Sequence, residues 1–106
     1  MAWLILGVAV VVEIVWALSL KWATTQNSLY APAIPVLLSF VNMYLLALAM
    51  RGLSAGTAYA VWTGLGAIGV AVFGVVLFGE KLNPVQIGFL GLIVAGVVGT
   101  KLAATV

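Results

Sequence analysis

Val10 to Trp22 read VVVEIVWALSLKW. The stretch is apolar almost throughout, yet a carboxylate, Glu13, stands inside it, three residues before Trp16. Extended back to Ala2 and forward to Lys21, the run has about the 20 residues that a helix needs to cross a hydrocarbon core about 30 Å thick. A charged side chain at such a depth costs about 2.5–3.5 kcal/mol on insertion scales, so Glu13 calls for a reason.

Composition points the same way. The chain has 106 residues, 66% of them hydrophobic and 6% charged, with a mean hydropathy of +1.35. A soluble domain is about a quarter charged; this chain has little to present to water and reads as an all-α integral membrane protein. Four basic and two acidic residues give a net charge of +2. They are too few for a nucleic-acid surface. With neither Cys nor His, the chain offers no disulfide framework and no thiolate or imidazole metal site, and no cofactor is implied. The N-terminus lacks a basic leader and carries a carboxylate in its apolar run, so it reads as a retained span.

Polar breaks divide the chain into four. ATTQNS (Ala23 to Ser28) marks the first turn, and Pro32 and Pro35 open a second apolar run through Met50. Ser54 is a candidate N-cap for the third helix. GEKLNP (Gly79 to Pro84) is the next break, with Asn83 as N-cap and Pro84 at the first helical position. The expectation is one transmembrane domain over residues 1–106, with helices near 2–21, 31–50, 55–78 and 84–103. Runs such as AVFGVVLF (Ala71 to Phe78) do not alternate, which argues against a β-barrel. Arg51 and Lys101 fall on the side of the N-terminus, Lys21 and Lys81 on the other. The positive-inside rule therefore gives no preference, which suits either a single topology set by other factors or a chain that inserts both ways. In the fourth span, Gly91, Ala95 and Gly99 recur every four residues, the spacing that lets helices approach closely in lipid.

Several side chains gather around Glu13 on paper. Ala9 and Ala17 leave its face open, and Trp16 offers an indole N–H. In the third span, Tyr59, Trp62 and Gly66 share a face with Thr63 at its margin, and aromatic rings attract cations. Gly64, Gly66 and Gly69 form either a hinge or a close-packing surface. Asn42, one turn from Ser39 in the second span, either bonds the carboxylate or is satisfied by a neighbouring backbone. Glu80 and Lys81 read as a solvated loop pair. Low-dielectric surroundings favour the neutral acid, whereas a nearby cation favours the ionised form. Proton and cation thus compete for one group, the basis of an antiporter. Two symmetry-related copies of Glu13 would titrate as a pair.

EIVWALSLKW, GTAYAVWTGLGAIG and LFGEKLNP (Glu13–Trp22, Gly56–Gly69, Leu77–Pro84) resemble the small multidrug resistance family, best its guanidinium-exporter branch. The similarity covers essentially the whole chain. It implies four-helix subunits in an antiparallel, dual-topology homodimer in the bacterial inner membrane, in contact with lipid, exporting a small organic cation of the guanidinium class in exchange for protons. By that resemblance Glu13 of both subunits binds substrate or proton, with Trp16, Asn42, Tyr59, Trp62 and Thr63 around it. Gly64, Gly66 and Gly69 would form the hinge, and Gly91, Ala95 and Gly99 the dimer contact. Two positions depart from the branch: Val10 stands where it usually has glycine, and Asn42 where it usually has serine. They leave open a quaternary ammonium or multidrug cation as substrate, or one half of a heterodimeric pair, although the even charge balance speaks against a half. No nucleophile–base pair suggests an enzyme. A passive anion channel does not suit a mid-membrane carboxylate, which leaves a passive cation channel as the second reading after export. A purely structural subunit would leave Glu13, Tyr59 and Trp62 without a task.

Overall fold

A computed structural model describes residues 1–103; the last three positions of the expected domain lie outside the described residues. Four helices follow one another: α1 (Ala2–Thr24), α2 (Ala33–Ala49), α3 (Ala55–Phe78) and α4 (Pro84–Ala103). Among the described residues there is no strand. Helices α1, α3 and α4 are each long and apolar enough to cross a membrane. Helix α2 has 17 residues, roughly 26 Å at 1.5 Å per residue, at the short limit for a span.

The helix ends follow from local hydrogen bonding. Helix α1 outruns the expected stop at Lys21, because the hydroxyls of Thr24 and Thr25 donate to the carbonyls of Lys21 and Trp22 at 2.6 and 2.7 Å. These are end carbonyls that lack helical partners. Helix α2 begins at Ala33, two residues later than the composition suggests: Pro32 is its N-cap, preceded by a turn in which the N–H of Ala33 donates to Tyr30 O. Ser54 caps α3, its Oγ accepting from the N–H of Thr57 at 3.2 Å. At α4, Asn83 Oδ1 accepts from the Gln86 N–H at 2.8 Å while Gln86 Oε1 accepts from the Asn83 N–H at 3.0 Å, a reciprocal capping box. Gly79 ends α3 with a φ of 66°, a left-handed conformation that glycine adopts without steric cost.

Helix α1 lies between α2 and α3, and α4 packs along α3. The result is a slab measuring 47 × 35 × 16 Å, thin against helices about 10–12 Å across. Leu6, Ala49, Leu53, Ala58 and Val61 form the buried apolar cluster near the N-terminal end, with Trp62 against it. Most large apolar side chains point outward, Leu4, Phe40, Val76 and Leu102 among them. In lipid that exposure carries no penalty, because acyl chains are as apolar as leucine.

Candidate cation site

Helix α1 buries Leu6, Ala9, Val10 and Glu13, a seam repeating every three to four residues that places the carboxylate inside the bundle. Glu13 is 9% exposed, and Asn42, opposite it on α2, is 4% exposed. Asn42 Nδ2 donates to Glu13 Oε1 at 3.5 Å, the long limit of a hydrogen bond. Asn42 Oδ1 is buried with no partner among the described residues. The amide thus shows the carboxyl group both a donor and a free acceptor, and so can serve either of its protonation states.

On its other side Glu13 faces a cavity of about 510 Å³ between α1 and α3. Ala17 on α1 and Gly66, Ala67 and Ala71 on α3 contribute small walls, and Thr63 stands at the margin. Gly66 is required by close approach: a Cβ there would lie 2.8 Å from Glu13 Cγ. The Thr63 hydroxyl donates to Tyr59 O at 2.8 Å, so its oxygen remains an acceptor.

Several expected neighbours sit elsewhere in the subunit. Trp16 lines a separate groove of about 200 Å³ with Leu20, Pro35 and Ser39, between α1 and α2. An offset of three residues falls about 60° short of a full helical turn, enough to take its ring off the Glu13 cavity. Tyr59 is exposed and its ring centroid lies 5.5 Å from that of Trp62, tilted by 45°. Neither ring lines the Glu13 cavity; Trp62 turns to the apolar cluster around Leu6, and its buried Nε1 has no partner among the described residues. Val10 lines an apolar groove with Trp3, Leu65 and Val97, not the cavity of Glu13, so its bulk does not reduce that volume.

Helix α3 is continuous, and each glycine of the triplet marks a close contact. A Cβ at Gly64 would lie 2.5 Å from Val97 Cγ2 of α4, and one at Gly69 would collide with Ile14 of α1. Along α4, Gly91 and Gly99 have open space, and Ala95 is exposed.

Glu80 lies in the expected loop and is exposed there, but its partner is not Lys81: its Oε2 lies 3.9 Å from Lys21 Nζ, and its side chain lines the same cavity as Glu13. The signal for this was Gly79: a left-handed residue after a helix folds the next one back over the last turn. No group of three or more metal-ligating side chains converges among the described residues.

Residues 1–93 match the family described as Small Multidrug Resistance protein. A protein of Escherichia coli K12 named Guanidinium exporter is 48% identical over 103 residues, covering 97% of this chain and 98% of its own. Proteins of the same name from Yersinia pseudotuberculosis and Salmonella typhimurium are 47% and 45% identical over 104 residues, covering 98% of this chain and 100% and 99% of their own. These names describe transporters, not enzymes. Together with its apolar helices they make the chain a multi-pass protein of the bacterial inner membrane. With a match that runs nearly end to end, the chain belongs to the small multidrug resistance family.

Proposed function

We propose that the chain works as an antiparallel homodimer that exports guanidinium-class cations in exchange for protons, with both ligands competing for Glu13. The observation that carries this reading is the Glu13 carboxylate itself: buried, held by one long hydrogen bond, and facing a cavity of about 510 Å³. A buried charge without a counter-charge is unstable, so such a group takes up either a proton or a cation. A guanidinium fits the second role, because its planar fork gives two parallel N–H···O bonds to one carboxylate. Thr63 and Asn42 would accept further N–H groups, and relatives named as guanidinium exporters favour that class.

The shape of the subunit favours a dimer. A slab 16 Å thick encloses no path for a solute by itself. The open stripe of Gly91, Ala95 and Gly99 would supply the contact, since small residues are what permit helices to associate in lipid. The exposed Tyr59, the half-buried Trp62 beside it, and Trp16 in its own groove would then complete a chamber shared by two subunits, offering ring faces to the cation. The close contacts at Gly64, Gly66 and Gly69 would be where α3 shifts between inward- and outward-facing states.

Transport by the purified protein in liposomes tests this. Guanidinium on one side is expected to drive protons the other way, and Glu13→Gln to abolish both movements. If proton and cation compete, acidifying the guanidinium side raises the half-saturating concentration, by up to about tenfold per pH unit. Guanidinium movement without protons would refute the exchange. A response to quaternary ammonium ions alone would keep the mechanism and change the substrate class.

A further inference from the structure

Glu13 and Ala17, one turn apart on α1, both line the cavity, and Lys21 lies one turn further along the helix. Lys21 is eight residues from Glu13, roughly 12 Å along the axis. The facing wall of α3 is made by Gly66, Ala67 and Ala71, with Val70 the one bulkier apolar side chain in it. The open cavity thus joins the buried carboxylate of α1 to Glu80, which lines it from the loop after α3.

Three features hold Glu80 there. Gly79 turns the chain back with its positive φ, and the N–H of Glu80 donates to Gly74 O at 3.3 Å. Gly74 has no side chain, and a Cβ at that position would collide with Glu80 Oε1. Lys21 Nζ then approaches Oε2 at 3.9 Å, beyond hydrogen-bonding reach, with both side chains about half exposed at 52% and 46%. An ion pair this long and this wet is weak. It is also easily replaced by a cation that can form two short N–H···O bonds to the carboxylate.

We infer that Glu80 is an outer cation-binding carboxylate, and that Lys21 is its resident counter-ion, displaced by each substrate cation on its way to Glu13. The inference rests on the proposed exchange of guanidinium, and it assigns separate tasks to the two acids. Glu13 takes cation or proton in the interior, whereas Glu80 captures cations at the mouth. Lys21 acts as an internal competitor that keeps the outer site empty until substrate arrives.

Opposite effects of the two partners are the test. Half-saturating guanidinium is measured for the purified protein in liposomes, alongside Glu13→Gln as the control for the exchange itself. Glu80→Gln is expected to raise the half-saturating concentration about two- to fivefold, and Lys21→Met to lower it by a similar factor, with little change in maximal rate. Lys81→Met removes a positive charge from the same loop but not from this pair, and should leave the value unchanged. The double variant Glu80→Gln/Lys21→Met should behave as Glu80→Gln alone, because the competitor has nothing left to occupy. Both shifts should shrink at high ionic strength. If Lys21→Met and Glu80→Gln move the value in the same direction, or if neither moves it, the pair only braces the loop and the inference fails while the exchange stands. If Lys81→Met matches Lys21→Met, the effect is general surface charge and the inference also fails. A wild-type protein that moves no guanidinium would overturn the exchange and this inference with it.

Discussion

Helices α1 and α4 are both long and apolar enough to cross a bilayer, yet α1 buries Leu6, Ala9, Val10 and Glu13 while α4 buries no residue at all. Hydropathy assigns both to the membrane and is silent on which of them lines the inside. Side-chain size and polarity carry that information. Helix α1 turns its only acid inward against Asn42 and a glycine of α3. Helix α4 turns small residues outward, with nothing within 4 Å of a Cβ at Gly91 or Gly99. In water an exposed helix face of this kind would be an aggregation hazard; in lipid only its small residues carry information, because they suit another helix better than they suit acyl chains.

The largest expected effect comes from placing the same substitution on the two sides of this contrast. Gly66→Val puts atoms where Glu13 Cγ already lies 2.8 Å from a Cβ position. Overpacking of this kind costs about 1–3 kcal/mol, and displacing the carboxylate should reduce guanidinium transport about ten- to hundredfold. Gly91→Val and Gly99→Val meet no atom of their own subunit. Their helix content should be unchanged, and their effect should appear as weaker dimerisation in detergent, measured by the concentration dependence of mass or of cross-linking, with transport lost only as far as the dimer is lost. Full transport by Gly66→Val would break the contrast, and so would loss of helix content in the α4 variants.

A smaller effect separates function from stability within α1's own seam. Asn42 Oδ1 is buried and unpartnered, and its Nδ2 makes only the 3.5 Å bond to Glu13. An unsatisfied buried acceptor costs about 1–3 kcal/mol, so Asn42→Leu removes a liability as well as a weak bond. The thermal midpoint in detergent should hold or rise. Guanidinium transport should fall about tenfold, in keeping with polar groups retained at a cost to stability. A midpoint lower by several degrees would instead make Asn42 a clamp between α1 and α2.

Much of the fold was legible because its punctuation is chemical. Ser54 before α3 and Asn83 before α4 announce those boundaries through the capping hydrogen bonds they make, and Pro84 through its fit to a first helical position. The start of α2 was harder, since Pro32 and Pro35 are both tolerated in a first turn and only the Tyr30–Ala33 turn selects between registers. Around the site, the meeting of Glu13 with Asn42 is one of the two readings that the sequence left open for Asn42, and it follows from turning the two polar side chains inward. Gly66 meets them because a Cβ there would strike Glu13. The places of Trp16 and Trp62 did not follow. In a helix apolar on every side, periodicity gives the angle between two residues but not which neighbour each one faces. The place of Glu80 beside the cavity was missed because it depends on a turn, and the turn on Gly79 and on the empty space above Gly74.

The smallest predicted effect lies at a charged contact between the ends of α1 and α4. Lys101 Nζ sits 5.2 Å from the centroid of the Trp3 ring, within range of a cation–π attraction worth about 0.5–1 kcal/mol at an exposed site. Helix α4 buries nothing of its own, so a contribution of that size is a large share of what holds its last turn, whereas the Glu13 seam has packing to spare. Lys101→Met should therefore speed amide hydrogen exchange in the last turn of α4 about two- to fivefold. Exchange around Glu13 should not change. Lys101→Arg should restore protection, because a guanidinium stacks on an indole at least as well as an ammonium does. Unchanged exchange in Lys101→Met would mean that α3 alone fixes the end of α4. The difference between the two helices would then be one of packing only, with no electrostatic tie between them.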